Sequence, residues 1–229
     1  MEYCVKHGPV FSVLEFNFNE AELVEAQPDS MLAMTPGIQL TAKMGRRGAG
    51  SAWWSGIKGM LGGESLFTAE FRAKRDSQFL SLAPAANGDI FEIKLKDAGG
   101  FYLTRGSYLA NIGTCSMQIK YGGIKGMMSN TGLFLLHVAG EGTVFCQSYG
   151  AVINKTLSEN EHFVVDNRYV VAFSDTIRYQ LVKATSSMKD AFLSGEGLVN
   201  RFTGPGILIY QTRAKQTVGL VSRMFELAR

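Results

Sequence analysis

Short sequence words recur in the same order along this chain, and such a repeat constrains the fold more strongly than any single motif. The pentapeptide GIKGM occurs at 56–60 and again at 123–127. Extended to twelve residues without gaps, the two segments match at seven positions. The first of them is also matched, more weakly, by a third segment at 188–199. The residues shared with that third segment are Leu193, Gly195, Glu196 and Leu198.

A second word precedes each of these segments. It reads SMLA at 30–33, SYLA at 107–110 and, in a weaker form, YVVA at 169–172. The fifth residue after each alanine begins a short apolar segment, at Ile38, Cys115 and Ile177. Because the order of the words agrees as well as their composition, we interpret the chain as three tandem copies of one supersecondary unit.

The words place the repeats within one compact unit that spans residues 1–229. We predict repeat 1 at 1–101, repeat 2 at 102–161 and repeat 3 at 162–229. The three copies are expected to be related by an approximate threefold axis. Their alignment predicts that three leucines occupy equivalent buried positions: Leu66, Leu133 and Leu198.

Each unit has the pattern of short β-strands. Apolar and polar residues alternate at 14–19 and at 91–96, which places alternate side chains on a buried face. Glycine-containing turn sequences recur between such runs. Short strands with frequent turns indicate an all-β sandwich or barrel. Helical patterns are confined to two short segments, 187–193 and 218–227.

Composition limits the classes of function. Hydrophobic residues make up 46% of the chain and charged residues 19%, and the net charge is +3. A dedicated nucleic-acid-binding domain concentrates more positive charge than this. The two short basic runs, at 43–47 and 72–75, are interpreted as solvated surface. We therefore do not expect nucleic acid among the partners.

Cysteine usage and hydropathy predict the compartment. The chain has three cysteines and no CxxC pair, which argues against a disulfide framework and against a zinc site. The N-terminal residues show no signal-peptide pattern, and no run of 18 apolar residues occurs. The sequence therefore predicts a soluble, cytoplasmic protein.

The glycine-rich stretch GEGLVNRFTGPGILIYQTR at 195–213 resembles a phosphate-binding loop at first sight. It fails the GxGxxG pattern because the sixth position is Asn200, and no βαβ unit surrounds it. Gly204, Pro205 and Gly206 suit a tight turn, and AGEG at 139–142 lies at the matching place in the second repeat. We predict a hairpin turn there.

No motif predicts catalytic, cofactor-binding or metal-ligating residues. Glu64 and Glu196 lie at equivalent positions of two repeats. They are candidates either for a pair of functional carboxylates or for carboxylates that accept backbone N–H bonds in a tight turn. None of the three histidines is spaced to share a metal ion with another. His137 is predicted to be a hydrogen-bonded strand residue.

Trp53 and Trp54 are adjacent in the glycine- and serine-rich stretch GAGSAWWSG. Two neighbouring indole rings on such a segment are difficult to bury together. Either one ring packs on the fold while the other meets a partner subunit or a membrane surface, or both rings fill the core. The pair is the candidate interaction surface that the sequence offers.

An ordered series of motifs resembles the altered-inheritance-of-mitochondria family over residues 8–213. The resemblance implies an all-β fold of repeated units similar to the subunit of the tryptophan RNA-binding attenuation protein, assembling through its strands into rings or trimers. It carries no established catalytic residues over to this chain. The motifs are AMTPGIQL, GIKGMLGGESLF, LAPAANGDI, GSYLA, GLFLLHVAGEGTVF, VVDNRYVVAF, SGEGLVNRFTGPG and QTR.

Three functions follow as hypotheses. The first is a non-enzymatic homo-oligomer, most simply a trimer, that acts as a scaffold or binding protein and associates with a protein partner or a membrane surface. The second is a small-ligand-binding protein or enzyme with a site between repeats. The third is RNA binding, by analogy of fold alone. We favour the first, because few charges and repeated β units with open edges suit a closed cyclic assembly.

Overall fold

The computed structural model describes residues 1–44, 67–104, 106–121, 134–183 and 198–214. The described residues form nineteen strands and one short α-helix, so the predicted all-β class is confirmed. The two predicted helical segments, 187–193 and 218–227, lie outside the described residues. The same holds for several residues singled out in the sequence: Trp53, Trp54, Glu64, Leu66, Leu133 and Glu196.

The first block of the chain contains seven strands. Its alternating segment at 14–19 forms the predicted strand, because Leu14, Phe16 and Phe18 are all buried while the residues between them are not. The strands are β1 Glu2–Lys6, β2 Val13–Phe18, β3 Leu23–Ala26, β4 Met31–Met34, β5 Ile38–Met44, β6 Phe67–Ala73 and β7 Gln78–Leu82.

The second block contains six strands and the helix. The predicted strand at 91–96 is confirmed as far as Lys94, but Leu95 starts a helical turn that ends at Gly99, whose φ is +73°. Leu95 stays buried in this turn. The elements are β8 Ile90–Lys94, α1 Leu95–Ala98, β9 Phe101–Thr104, β10 Tyr108–Ile112, β11 Cys115–Tyr121, β12 Phe134–Gly140 and β13 Thr143–Gln147.

The third block again contains six strands, with a single 3₁₀ turn at Asn167–Tyr169. The Asp166 side chain accepts a hydrogen bond from the Arg168 backbone N–H at the start of this turn. The strands are β14 Val152–Leu157, β15 His162–Asp166, β16 Val170–Ser174, β17 Arg178–Lys183, β18 Leu198–Thr203 and β19 Gly206–Gln211.

Four antiparallel sheets hold these strands. Sheet 1 has the order β1-β2-β7-β4, and sheet 4 has the order β15-β18-β17. Between them are two six-stranded sheets, each built from two blocks: sheet 2 is β5-β6-β3-β10-β13-β8, and sheet 3 is β11-β12-β9-β16-β19-β14. The joints between blocks are therefore strand pairs, β3 with β10 and β9 with β16.

One pairing pattern occurs in all three blocks. In the first block the orders are β2-β7-β4 and β5-β6-β3; in the second they are β8-β13-β10 and β11-β12-β9; in the third they are β14-β19-β16 and β17-β18-β15. By this pattern the blocks run from Val13 to Leu82, from Ile90 to Gln147 and from Val152 to Gln211. The predicted boundaries after residues 101 and 161 lie inside the second and third blocks.

Three hydrophobic cores lie between successive sheets. The first core combines Phe16 of sheet 1 with Phe71 and Phe145 of sheet 2. The second core joins sheets 2 and 3 and includes Val144 and Leu103. The third core joins sheets 3 and 4 through a cluster of rings and leucines that includes Phe173, Phe202 and Leu208. The four sheets therefore form a row that starts at sheet 1 and ends at sheet 4.

The turn at Gly204–Pro205–Gly206 is not the predicted hairpin. It links β18 of sheet 4 to β19 of sheet 3, so the two strands do not pair with each other. The turn at 140–142 likewise passes from sheet 3 to sheet 2. Position 204 requires glycine for steric reasons, since a Cβ there would lie 2.2 Å from the Ser158 carbonyl oxygen.

The predicted equivalence of Leu66, Leu133 and Leu198 stays a prediction, because Leu66 and Leu133 lie outside the described residues. Among the described residues, Leu198 pairs with Lys183, as Phe67 pairs with Met44 and Phe134 with Tyr121.

Candidate functional site

The first strand edge of interest is β4, at the end of sheet 1. This strand pairs with β7 on one side only. Its residues are all apolar, and three are unusually exposed: Met31 at 42%, Leu32 at 60% and Met34 at 37%. An uncharged edge strand with open backbone groups is a template for pairing with another strand.

The counterparts of β4 in the other blocks are buried. β4 and both counterparts contain a β-bulge, in which one residue has no partner on the neighbouring strand. This residue is Leu32 in β4, Leu109 in β10 and Val171 in β16. Leu109 and Val171 have no exposed surface. Leu109 packs in the first core and Val171 in the second, which are the cores of the preceding blocks. Leu32 occupies the same place in its strand without a block to cover it.

The second open edge is β15, at the end of sheet 4. It pairs with β18 on one side only. Val164 at its centre is 52% exposed, whereas Val165 packs in the third core. The corresponding strands of the earlier blocks, β3 and β9, are both paired on their second side. The row of sheets thus has an open strand at each end.

The loop before β2 presents further apolar surface, since Phe11 is 71% exposed. Phe11 forms a parallel β-bridge with Gly88, and Gly88 forms another with Gly150. Each of these residues stands two positions before the first strand of its block's pairing pattern. The bridges therefore connect the first block to the second and the second block to the third, as the joints do.

Charged groups flank the β15 edge and are paired among themselves. Glu161 accepts hydrogen bonds from Lys155, at 2.8 Å, and from the Ser158 backbone N–H. These bonds hold the pKa of Glu161 below its ordinary value. Asp166 pairs with Arg168 at 2.7 Å. The apolar centre of the strand stays available for contact while the charges at its ends are satisfied.

Two of the three histidines, His137 and His162, lie in strands, as predicted for His137. Its Nε2 lies 3.4 Å from Asp175 Oδ2, and its ring packs on Tyr102. His162 Nδ1 lies 2.9 Å from Thr203 Oγ1. His137 is thus confirmed as a hydrogen-bonded strand residue. The contacts of His137 and His162 link neighbouring strands or loops.

Two absences hold for the five described ranges only. Among these residues, no group of three or more His, Cys, Asp or Glu side chains is arranged to hold a metal ion. Within the same ranges, no helix has the length and apolarity needed to span a membrane.

Cys4, Cys115 and Cys146 are all free, in agreement with the prediction of no disulfide framework. Cys4 is exposed, Cys115 is half-buried and Cys146 is fully buried. Burial raises the pKa of the Cys115 thiol to about 11, and it raises the pKa of Cys146 still further. Both buried thiols stay protonated, and therefore poorly nucleophilic, at neutral pH.

We predict that thiol reagents distinguish these cysteines. At pH 8 in native buffer, one thiol per chain is expected to react quickly with a chromogenic disulfide, and Cys4→Ser removes that phase. The rate at Cys115 rises with pH toward about 11, because only the thiolate reacts. Cys146 is expected to react only in denaturant. Rapid reaction of all three thiols at pH 8 contradicts the burial described here.

The fold defines an all-β protein of stacked antiparallel sheets, in which strand pairs join successive blocks of the chain. The family model described as mitochondrial biogenesis AIM24 matches residues 3–213, and the chain belongs to this family. A protein of Streptococcus pyogenes serotype M6, described as uncharacterized, is 28% identical over 228 residues, which cover 97% of this chain and 90% of that protein.

A solved structure shares the fold. The X-ray crystal structure of a protein from Streptococcus pyogenes superposes with a TM-score of 0.74 at 25% sequence identity. The match covers 100% of this chain and 98% of that chain. The family match confirms the resemblance to the altered-inheritance-of-mitochondria family.

Sequence reasoning did not find the two open edges. It singled out Trp53 and Trp54 as the interaction surface, and these lie outside the described residues. The exposed strand β4 contains the last three residues of the word SMLA, whose residue types resemble those of its counterparts. The word differs from them only in belonging to the first block, which no earlier block precedes. The last two residues of each word are apolar, and only strand pairing shows that the strand of the first word lacks a neighbour on one side.

Proposed function

We propose that this protein is a subunit of a non-enzymatic homo-oligomer that serves as a scaffold or binding protein. One observation carries the proposal: β4 is exposed and apolar, while its counterparts β10 and β16 are paired and buried. Open apolar edges invite uncontrolled pairing unless a partner covers them. A second copy of the same chain brings the complementary edge and therefore covers both.

Further features support self-association. Charged residues make up only 19% of the chain, and Phe11 and Val10 in the loop before β2 add exposed apolar side chains to those of β4. A chain that presents two complementary edges, β4 in sheet 1 and β15 in sheet 4, suits closed cyclic assembly, because closure pairs each of these two edges with a neighbouring copy. A trimer is the state that we expect.

The free cysteines support a reducing compartment such as the cytoplasm for this assembly. A non-enzymatic role fits the placement of the titratable groups discussed above, which link strands or flank the open edges. The oligomer would present the same surface several times, and repeated surfaces increase binding strength without any new contact.

Light scattering coupled to size exclusion tests the proposal. Protein is loaded from micromolar down to nanomolar concentration, and the molar mass is read across each peak. We expect a mass near three times 25.0 kDa at the higher concentrations. A single species of 25.0 kDa at every concentration contradicts the proposal.

A further inference from the structure

We propose that β4 of one copy pairs with β15 of a second copy, antiparallel and in a defined register, so that sheet 4 of one chain and sheet 1 of the next become one continuous sheet. The inference rests on the proposed homo-oligomer and names its joint. Its occupant is a second copy of this chain, because the chain itself contains both complementary edges.

The first step is that both joints within the chain use the same two strands of the pattern. At the first joint β10 pairs with β3, with Ala110 opposite Ala26. At the second joint β16 pairs with β9, with Ala172 opposite Leu103. We count the strands of each pattern in chain order, so that β2, β3 and β4 are the first, second and third strands of the first block. At both joints, the third strand of one block pairs with the second strand of the block before it. For the first block that third strand is β4, and for the last block the second strand is β15.

The second step aligns the edges residue by residue. Ala33, Ala110 and Ala172 each directly follow the residue that the register skips. On the other edge, Val165 lies opposite Asn200, as Leu103 lies opposite Leu136 and Ala26 opposite Ala69. Ala33 of β4 is therefore equivalent to Ala110 and Ala172, and Val165 of β15 is equivalent to Ala26 and Leu103.

The register of the intermolecular pair follows. Ala33 lies opposite Val165, Met34 opposite Val164 and Thr35 opposite Phe163, as Ala172, Phe173 and Ser174 lie opposite Leu103, Tyr102 and Phe101. A slip by one residue would turn the apolar side chains of one edge to the other face of the sheet, so this register is strongly specified.

The central pair differs between the two joints of the chain, since at the first joint it is Asn111 with Glu25. At the second joint, the pair is Phe173 with Tyr102, whose ring centroids lie 5.3 Å apart, and Phe173 is fully buried. At the proposed joint, the pair is Met34 with Val164, both apolar and both exposed in the single chain. Pairing places these two side chains against each other and removes both from water.

Leu32 supplies an independent match. Leu109 of the second block enters the core of the first block, and Val171 of the third block enters the core of the second. If the same rule holds between copies, Leu32 packs in the third core of the neighbouring copy, next to Val165. The most exposed residue of β4 thus has a defined place in the joint.

A second copy fits better than the two ends of one chain. The open strands belong to sheets 1 and 4, and the described strands show no pairing between β4 and β15 within the chain. The bridges from Phe11 to Gly88 and from Gly88 to Gly150 continue in one direction, and the described residues include no bridge that returns from Gly150 to Phe11.

Cysteine cross-linking tests the joint. One chain carries Met34→Cys and a differently tagged chain carries Val164→Cys, both in a Cys4→Ser background, and the two are co-expressed. A short bis-maleimide is expected to join the two tags into a covalent dimer, while either variant alone gives none. The matched control replaces Met34→Cys by Leu40→Cys, which lies on the exposed edge strand β5 and is expected to give no product.

The outcomes separate this inference from the proposed function. Oligomers by light scattering without the cross-linked dimer overturn the β4–β15 joint and leave the homo-oligomer standing. Monomers by light scattering overturn both. A chain that carries both cysteines and cross-links only within itself, at the mass of one chain, shows that the two edges close intramolecularly and overturns the second copy as occupant.

Discussion

Leu32→Asp is expected to dissociate the oligomer into folded monomers. Leu32 is 60% exposed in the single chain, so a carboxylate there is solvated and costs the monomer little. In the joint, the same carboxylate would be buried among apolar side chains without a partner, which costs several kcal/mol. A loss of about 3 kcal/mol corresponds to roughly a hundredfold weaker association. Sedimentation velocity at fixed micromolar protein measures the shift.

Leu40→Asp is the matched control for this substitution. Leu40 is 49% exposed on β5, another edge strand, but it is not part of the proposed joint. It is expected to leave the sedimentation coefficient unchanged. Equal dissociation by both variants would show that general surface polarity, and not the β4 edge, governs assembly. An unchanged oligomer with Leu32→Asp would remove β4 from the interface.

Phe145→Ala is expected to cause the largest loss of stability. Phe145 comes from the second block but is fully buried in the first core, where its ring packs edge-on against Phe16 at 5.4 Å and Tyr3 at 4.8 Å. Truncation of such a ring leaves a cavity and costs about 3–5 kcal/mol. For a chain of this size, roughly 2–4 °C is lost per kcal/mol, so Tm is expected to fall by on the order of 10 °C.

Differential scanning calorimetry at one fixed protein concentration measures this effect, because oligomerisation makes Tm depend on concentration. Leu40→Ala is the control and is expected to change stability by no more than about 0.5 kcal/mol, since its side chain is largely solvated. A Tm for Phe145→Ala within a degree of the parent would show that the second block does not stabilise the first through this ring.

The sequence predicts strands well where burial alternates. The segment at 14–19 has a two-residue period, and its three apolar residues are the buried ones. Prediction fails at Leu95, which continues the same alternation but begins a helical turn. The reason is local: the chain turns here toward Gly99 and Gly100, and the helical turn still buries Leu95.

Pairing between distant strands is where the sequence is silent. The hairpin expected at Gly204–Pro205–Gly206 would have been indistinguishable by composition from the observed crossing between two sheets. The turn residues report only that the chain reverses, whereas partner strands such as β14 and β16 lie far away in the sequence. Contacts across sheets, not local propensity, decide which strands pair.

The candidate site illustrates the same limit. The word at 30–33 and its counterpart at 107–110 share three of four residues. Even so, Leu32 is 60% exposed whereas Leu109 is completely buried. Sequence comparison of the words identifies both as strand residues of equivalent position. Only the neighbour differs, and the neighbour of Leu32 is not in the described chain.

Hydrogen–deuterium exchange of the assembled protein tests the central claim most directly, because it reads the backbone of β4 itself. In the oligomer at micromolar concentration, peptides covering 30–35 and 162–166 are expected to exchange as slowly as the peptide covering β10, whose two sides are both paired. Dilution or Leu32→Asp should release that protection at both edges together. Rapid exchange of β4 in an intact oligomer, at the rate of the open edge strand β5, would contradict the account.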